Sequence, residues 1–506
     1  MVNLSSFLKY HAQRWPENTA IVYEESRISY GALWERVRQL ARFLAEQGIS
    51  KGDVVAVFMK NSPAFIEIAC ASSYLGAVFL PINYRLATDE VAYIVGNANA
   101  SLLIGDAEFD DILQVNIPKH ILSDVMQKNI LEFSGVEGEV PEPCYVRPGD
   151  LFRLMYTSGT TDRPKGVMHS YDNFYWKSME HVVVLGLSQQ TRLLVTGPLY
   201  HVGAFDLPGM AVLWLGGMLK IHREYDPLAV LSAIETEKLT GAWLAPIMLA
   251  GILEHPDKGN YDVGSLEWCI GGGEKTPEGR ILEFQRYFTN GRYIDAYGLT
   301  ESCSGDTFME PGWEIDKIGS TGRATPHVSI RIVDDEGQPL SPGEEGEICL
   351  RGPKVTEGYW NDPAKTAETR IGDWFKTGDV GLLDEDGFLY LTDRKKDMII
   401  SGGENIASSE LERVIYQMPD VLEAAVIGLP DDKWGEVPVA VIVPKEGVTF
   451  DEDAFLSHCR KHLAGFKVPK RVLLRDSLPR NPSGKILKRV LRDEFAYKRK
   501  ATDPAD

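Results

Sequence analysis

Apolar positions between residues 29 and 48 repeat every third or fourth residue. Leu33, Val37, Leu40, Ala41 and Leu44 share one face, Ser29 stands where a cap is needed, and Gly48 closes the run. That spacing predicts a helix. Further patterned segments flank it: 54–59, 77–82 and 101–104 predict strands, while 63–75 (up to Gly76) and 88–97 (capped by Thr88) predict helices. Strand and helix in alternation predict a layered α/β domain with a mostly parallel sheet. Residues 106–149 are weakly patterned and read as loops with short helices. Further strands are expected at 151–155, 193–196, 266–270 and 293–296, and a helix at 169–180. From Gly319 the texture changes. Short β-rich runs at 328–333, 346–351 and 388–391, separated by Asp/Gly turns, predict a small barrel or distorted sheet. The last hundred residues predict a compact α/β cap, with helices at 409–417 and 453–463 and strands at 423–428, 437–443 and 472–475.

A chain of 506 residues is too long for one core, so at least two domains are expected. Lys and Arg total 53 against 73 Asp and Glu, a net charge of −20, which argues against nucleic acid or an anionic membrane as the main partner. Six scattered cysteines (Cys70, Cys144, Cys269, Cys303, Cys349, Cys459) contain no Cys-x-x-Cys pair and read as free thiols. The N-terminus lacks the apolar core of a signal peptide. The longest apolar run, 242–253, is too short to span a bilayer and contains Pro246. A soluble cytoplasmic protein is the expectation, and a homodimer is compatible with it.

One stretch carries the chemistry: Tyr156-Thr157-Ser158-Gly159-Thr160-Thr161-Asp162-Arg163-Pro164-Lys165-Gly166-Val167. Glycines let backbone approach a polyphosphate, amides and hydroxyls donate, and Lys165 neutralises charge. The Lys precedes the Gly, so this is not a Walker A loop. Further on, Gly271-Gly272-Gly273 would let a flat ligand lie against bare backbone. In Tyr297-Gly298-Leu299-Thr300-Glu301 an aromatic face suits a purine, and a carboxylate suits a hard cation bridging phosphates. His201 follows a strand end, where open α/β sheets place their ligand crevice.

Together these strings resemble the signatures of the adenylate-forming superfamily: acyl-CoA synthetases, adenylation domains and beetle luciferases. The resemblance runs in family order from residue 156 to 485 and is nearest to a bacterial fatty-acid or aryl-acid CoA ligase. It implies a large N-terminal domain of layered α/β sheets with a β-barrel-like subdomain (1–393), a hinge (394–396) pivoting at Lys396, and a mobile cap (397–506). It implies that Thr157, Ser158, Gly159, Thr160, Thr161 and Lys165 hold the phosphates, and that Gly271, Gly272, Gly273 and Tyr297 hold the adenine. Thr300 would reach the α-phosphate and Glu301 would bind Mg2+. Asp379 and Arg394 would take the ribose, and His201 would gate the acid pocket. Gly402, Gly403 and Trp434 would line the pantetheine path, and Lys485 would contact the carboxylate during adenylation. ATP and CoA would be co-substrates. Two features qualify the match. Asp162 stands where the family has Gly, and Val202 stands where amino-acid-activating relatives carry Asp, which favours a plain carboxylic acid. The expected pocket walls, 201–215, 243–249, 271–275 and 302–306, are mainly apolar and favour a fatty or aromatic acid, with Asp206, Lys275 and Asp306 read as solvent-facing and, as the alternative, as recognising a distal polar group. Carrier-protein loading and a catalytically weak nucleotide sensor are the alternatives. The basic tail around Lys488, Arg489, Arg492 and Lys498 reads as a solvated helix face.

Overall fold

The computed structural model describes residues 3–123, 139–157, 164–273, 276–394, 397–401, 404–431, 434–480 and 486–502. Expectations for Ser158, Gly159, Thr160, Thr161, Asp162, Lys275, Lys396, Gly402, Gly403 and Lys485, and for the Arg394 side chain, lie outside what it describes. The chain divides into two compact units. The first takes residues 1–273, 283–329 and 350–375; the second takes 274–282, 330–349 and 376–506.

In the first unit, the predicted alternation builds two sheets. A nine-stranded sheet runs parallel through Thr19–Tyr23, Met218–Ile221, Arg192–Val195, Gly241–Leu244, Trp268–Gly271 and Arg292–Tyr297. A six-stranded sheet places Val54–Phe58, Val78–Pro81 and Ala100–Asp106 beside Lys119–Leu122 and Leu151–Thr157. Both kinds of strand are buried on two faces, which is why they read as solid apolar runs. The amphipathic repeat found at 29–48 forms Tyr30–Glu46, and the Ser29 side chain accepts from the Ala32 amide. At the expected 88–97 helix the cap is Ala87, not Thr88. There the Glu90 carboxylate reaches back to the Ala87 amide, so a short side chain at the cap is tolerated.

The expected 169–180 helix begins later. Residues 165–170 form a strand, Lys165–Ser170, antiparallel to Leu151–Thr157, and the helix is Tyr171–Leu185, capped by the Ser170 side chain. Pairing with a neighbouring strand outweighs local helix preference here, because the strand's backbone groups are buried and must be paired. An N-terminal helix, Leu4–Arg14, capped by Asn3, adds to this unit without a clear sequence signal.

The β-rich run after residue 319 forms a five-stranded sheet of Ser329–Val333, Gly346–Arg351, Arg370–Ile371, Trp374–Leu383 and Leu389–Arg394. In the second unit, a long hairpin joins Val421–Asp431, at the edge of another sheet, to that sheet's central strand, Gly435–Pro444. Helices Ser408–Ile415 and Glu452–His462 pack on it around Leu411, Val426, Ile442 and Phe455. The tail helix Lys488–Thr502 is less solvated than expected. Lys488 pairs with Glu412 (2.8 Å) and Arg492 with Asp397 (2.7 Å), while Arg489 remains exposed. All six cysteines are free thiols, five of them buried. Among the described residues, no helix is long and apolar enough to cross a membrane.

Candidate active site

Two of the expected nucleotide elements of the first unit, the Gly271 run and Tyr297, lie at the carboxyl ends of adjacent parallel strands. Gly271 closes Trp268–Gly271 and is the register partner of Asp295 in Arg292–Tyr297, which Tyr297 closes in turn. That is where an open α/β sheet leaves its crevice. The glycines there are required by space. A Cβ on Gly271 would lie 1.6 Å from the Tyr293 hydroxyl, and one on Gly298 would lie 2.3 Å from the Gly305 amide.

The expected phosphate loop is flanked by two antiparallel strands, Leu151–Thr157 and Lys165–Ser170, in which Thr157 and Lys165 are cross-strand partners. Lys165 is half-buried, and burial followed by the nearby Lys365 pulls its ammonium below the usual lysine range.

Three segments are stitched together around this strand pair. The Thr300 carbonyl accepts from His169 Nε2 at 2.6 Å, and His169 lies on the pair's second strand. The Trp360 amide donates to the Gly166 carbonyl, and Val167 bridges Tyr359. The Thr356 amide donates to the Glu301 carbonyl (2.7 Å), and the Tyr359 hydroxyl donates to Glu301 Oε1 (2.8 Å). The Glu301 carboxylate is thus oriented by a phenol whose own ionisation is pushed up by burial and by that carboxylate. One carboxylate of this kind fits a magnesium ion that takes its remaining ligands from phosphates and water, and does not amount to an all-protein cage. Among the described residues there is no cluster of three or more His, Cys, Asp or Glu side chains able to hold a metal by themselves.

On the acid side, His201 caps the short turn Val202–Ala204, its Nδ1 accepting from the Gly203 amide (3.1 Å). The Asn61 side chain holds the approach to it, donating to the Gly197 carbonyl (2.8 Å) and accepting from the Leu199 amide (2.8 Å). Trp243 packs against two glycines. A Cβ on Gly197 or Gly203 would come within 2.3 or 2.5 Å of its indole.

Asp206 and Asp306 do not face solvent. Both are fully buried. Asp206 is paired with Arg153 (2.7 Å) and Lys177 (3.1 Å), and Asp306 with Lys354 (3.2 Å) and the Ser302 hydroxyl. Two buried cations beside Asp206 offset the cost of its burial, which is the only way such a charge persists in a core. The sequence offered one clue: Arg153 sits inside the apolar run 151–155, where an unpaired cation would be untenable. Tyr359, His169 and Asn61 were equally invisible, since a lone polar residue in a strand or loop carries no pattern.

In the second unit, Asp379 is buried. Its amide donates to Thr377 Oγ1, and it is the cross-strand partner of Arg394, which places the two expected ribose residues side by side. Trp434 is 45% exposed, so it is not a core residue; its amide donates to Asp431 Oδ1.

A family model described as "AMP-binding enzyme" matches residues 8–360, and one described as "AMP-binding enzyme C-terminal domain" matches 410–485. The chain is 38% identical over 493 residues to a feruloyl-CoA synthase of Amycolatopsis sp, covering 97% of this chain and 99% of that one. It is 36% identical to an indoleacetate–CoA ligase of Aromatoleum aromaticum, covering 98% and 99%. The o-succinylbenzoate CoA synthetase of Bacillus subtilis, solved with its acyl-adenylate intermediate, superposes with a TM-score of 0.86 at 31% identity, covering 99% of this chain and 98% of that one.

Proposed function

This chain belongs to the AMP-binding enzyme family and is an AMP-forming acid–CoA ligase, and we propose that its acid is an aryl acid and that its residues take the following parts. In the first half-reaction a carboxylate oxygen of the acid attacks the α-phosphorus of ATP. The new P–O bond forms as the α–β bridge breaks and pyrophosphate leaves. Positioning and charge neutralisation do most of the work in such transfers. Lys165 and the 157–161 loop hold the leaving phosphates, Thr300 reaches the α-phosphate, and Lys485 meets the carboxylate. Tyr297 and Gly271 to Gly273 frame the adenine, and Asp379 with Arg394 the ribose. Glu301 fits Mg2+, which when bound supplies neutralisation of phosphate charge. In the second half-reaction the CoA sulfur attacks the acyl carbon, the C–O bond to AMP breaks, and the thiol proton passes to solvent. The cap (397–506) turns about the 394–396 hinge between the two, bringing Gly402, Gly403 and Trp434 to the pantetheine. His201 gates the acid pocket. A cytoplasmic setting and a homodimer complete the reading, the latter checked by light scattering.

The observation that carries the aryl preference is the buried Trp243 indole, whose atoms fill the space a side chain would need at Gly197 and Gly203, on either side of His201 in the chain. An aromatic ring at that place favours an aromatic acid. Two relatives named for aryl acids support it. The test is a panel of ferulate, indole-3-acetate and dodecanoate, assayed for pyrophosphate release with and without CoA. The aryl acids should exceed dodecanoate at least tenfold in kcat/KM, and thioester should appear only with CoA. A preference for dodecanoate would reverse the substrate assignment. Pyrophosphate release that never yields acyl-CoA would point to carrier loading.

A further inference from the structure

A line of buried polar groups joins the two sides of this site. Asp206 Oδ2 pairs with Arg153 at 2.7 Å; Arg153 donates from Nε (3.1 Å) and Nη2 (2.9 Å) to His169 Nδ1; His169 Nε2 lies 2.6 Å from the Thr300 carbonyl. Arg153, His169 and Asp206 are all fully buried. Only one form of the imidazole satisfies both neighbours. A guanidinium can only donate and a carbonyl can only accept, so Nδ1 is bare and Nε2 carries the proton. Burial and Arg153 hold the ring neutral, in agreement with that tautomer.

Each member comes from a different part of the site. Arg153 and His169 are cross-strand partners on the two strands that flank the expected phosphate loop. Asp206 lies in the segment that starts at the gate residue His201, and its backbone carbonyl also accepts from Lys177 (3.2 Å) and His181 (3.0 Å). Thr300 opens the turn ahead of Glu301, and its carbonyl takes a second donor, the Cys303 amide. The turn that follows is hard to hold, since Cys303, Ser304 and Gly305 all have left-handed φ (57°, 71° and 69°).

We propose that Arg153 and His169 are positioning residues for the α-phosphate: through the Thr300 carbonyl they fix the Thr300 hydroxyl, and through Asp206 they tie that placement to the acid-gate segment. This rests on the assignment of Thr300 to the α-phosphate. A hydroxyl contributes to binding an anion only if it is held in place before the anion arrives. The turn bearing Thr300 is short, and His169 anchors it to a strand.

The test compares AMP with adenosine as calorimetric probes, because the two differ only by the α-phosphate. His169→Met fills similar volume but removes both hydrogen bonds. It should weaken AMP about tenfold and leave adenosine within about twofold, on the scale of one hydrogen bond to a charged group. His169→Gln can accept from Arg153 and donate to Thr300, and should bring AMP back within about threefold of wild type. Thr300→Val should weaken AMP at least as much as His169→Met, and the double variant should be no weaker than Thr300→Val alone, as expected when one residue acts through the other. Equal loss of AMP and adenosine in His169→Met would reduce the network to a folding element, and unchanged AMP affinity would overturn the proposal outright. Additive losses in the double variant would mean that His169 acts elsewhere. If Thr300→Val itself leaves AMP unchanged, the fault lies with the assignment of Thr300, a result separable from the others. Should His169→Met fail to fold, Arg153→Lys keeps the charge against Asp206 but gives up the forked donor. It should then weaken AMP about threefold with adenosine unaffected, and an unchanged AMP affinity would again overturn the proposal.

Discussion

Lys485 and Tyr359 act on the same chemistry in different ways. Lys485 belongs to adenylation alone in the proposed mechanism, so Lys485→Ala should lower pyrophosphate release by about two to three decades, the scale of one lost charge-stabilising donor. Thioester formation from supplied acyl-AMP should survive; equal loss of both half-reactions, measured separately, would remove the two-state assignment of the cap. Tyr359 touches no phosphate in this reading. Its hydroxyl orients the Glu301 carboxylate at 2.8 Å. Outer partners of a metal ligand typically change metal affinity by about ten- to a hundredfold. Tyr359→Phe should therefore raise the Mg2+ concentration for half-maximal adenylation about tenfold, with little change at saturating Mg2+. A magnesium titration of pyrophosphate release measures it, and an unshifted midpoint would detach Glu301 from the metal. Neither Tyr359 nor His169 could be found by reading the chain. Tyr297 and Glu301 are candidates from the chain alone, because the residue type and the motif around them state a chemistry together. A positioning residue states nothing by itself: its meaning lies in a partner more than fifty residues away.

Elements were legible where burial is one-dimensional. A strand covered on both faces reads as a solid apolar run, and Val54–Phe58 and Trp268–Gly271 emerge near their predicted limits. The Lys165–Ser170 strand was not, since its partner is chosen by hairpin geometry across a glycine-bearing loop and its residues (Lys, Gly, Val, Met, His, Ser) have no two-residue alternation. Some helix ends were legible to within one or two residues, as with Ala87 in place of Thr88, whereas the helix expected at 169–180 runs on to Leu185. At the proposed 394–396 hinge, rotation would have to be absorbed by large φ/ψ changes at a few positions. Proline fixes φ near −65°. Lys396→Pro should hold the cap in its adenylating orientation, which contacts with ATP through Lys485 favour. Rapid-quench assays should then show a single burst of pyrophosphate with acyl-AMP retained and not discharged by CoA. Normal steady-state acyl-CoA output would place the pivot elsewhere.

For the whole molecule, buried titratable groups shape the response to pH in opposite directions. Burial and Arg153 push His169 down to about 3, and burial with Lys220 pushes His222 down to about 4. The unfolded chain takes up these protons first, so their contribution is complete above about pH 6.5 and is lost as pH falls. Burial pushes Glu67 up to about 7 and Asp106 up to about 6, against Arg36 and Arg223. Their contribution is present at low pH and is lost as pH rises through those values. A bare pH profile would therefore be ambiguous, and the useful prediction is a difference. Between pH 7 and pH 5 His169 alone should cost about 2 kcal/mol. His169→Gln should lose that much less than wild type over the same interval, measured by denaturant unfolding at the two pH values; parallel losses would mean that the imidazole titrates normally.

Lys354 has a bearing on how the protein is made. It is fully buried, 3.1 Å from Glu180 and 3.2 Å from Asp306, and it donates to the Ser304 and Gly305 carbonyls that follow the Thr300 turn. Until residue 354 has left the ribosome, Glu180 and Asp306 are two carboxylates with no shared cation, and the left-handed turn lacks its pin. A nascent chain that has emerged only as far as residue 330 already carries the phosphate loop, the glycine run and Tyr297. It still lacks the lysine, some fifty residues behind the turn, that donates to the Ser304 and Gly305 carbonyls.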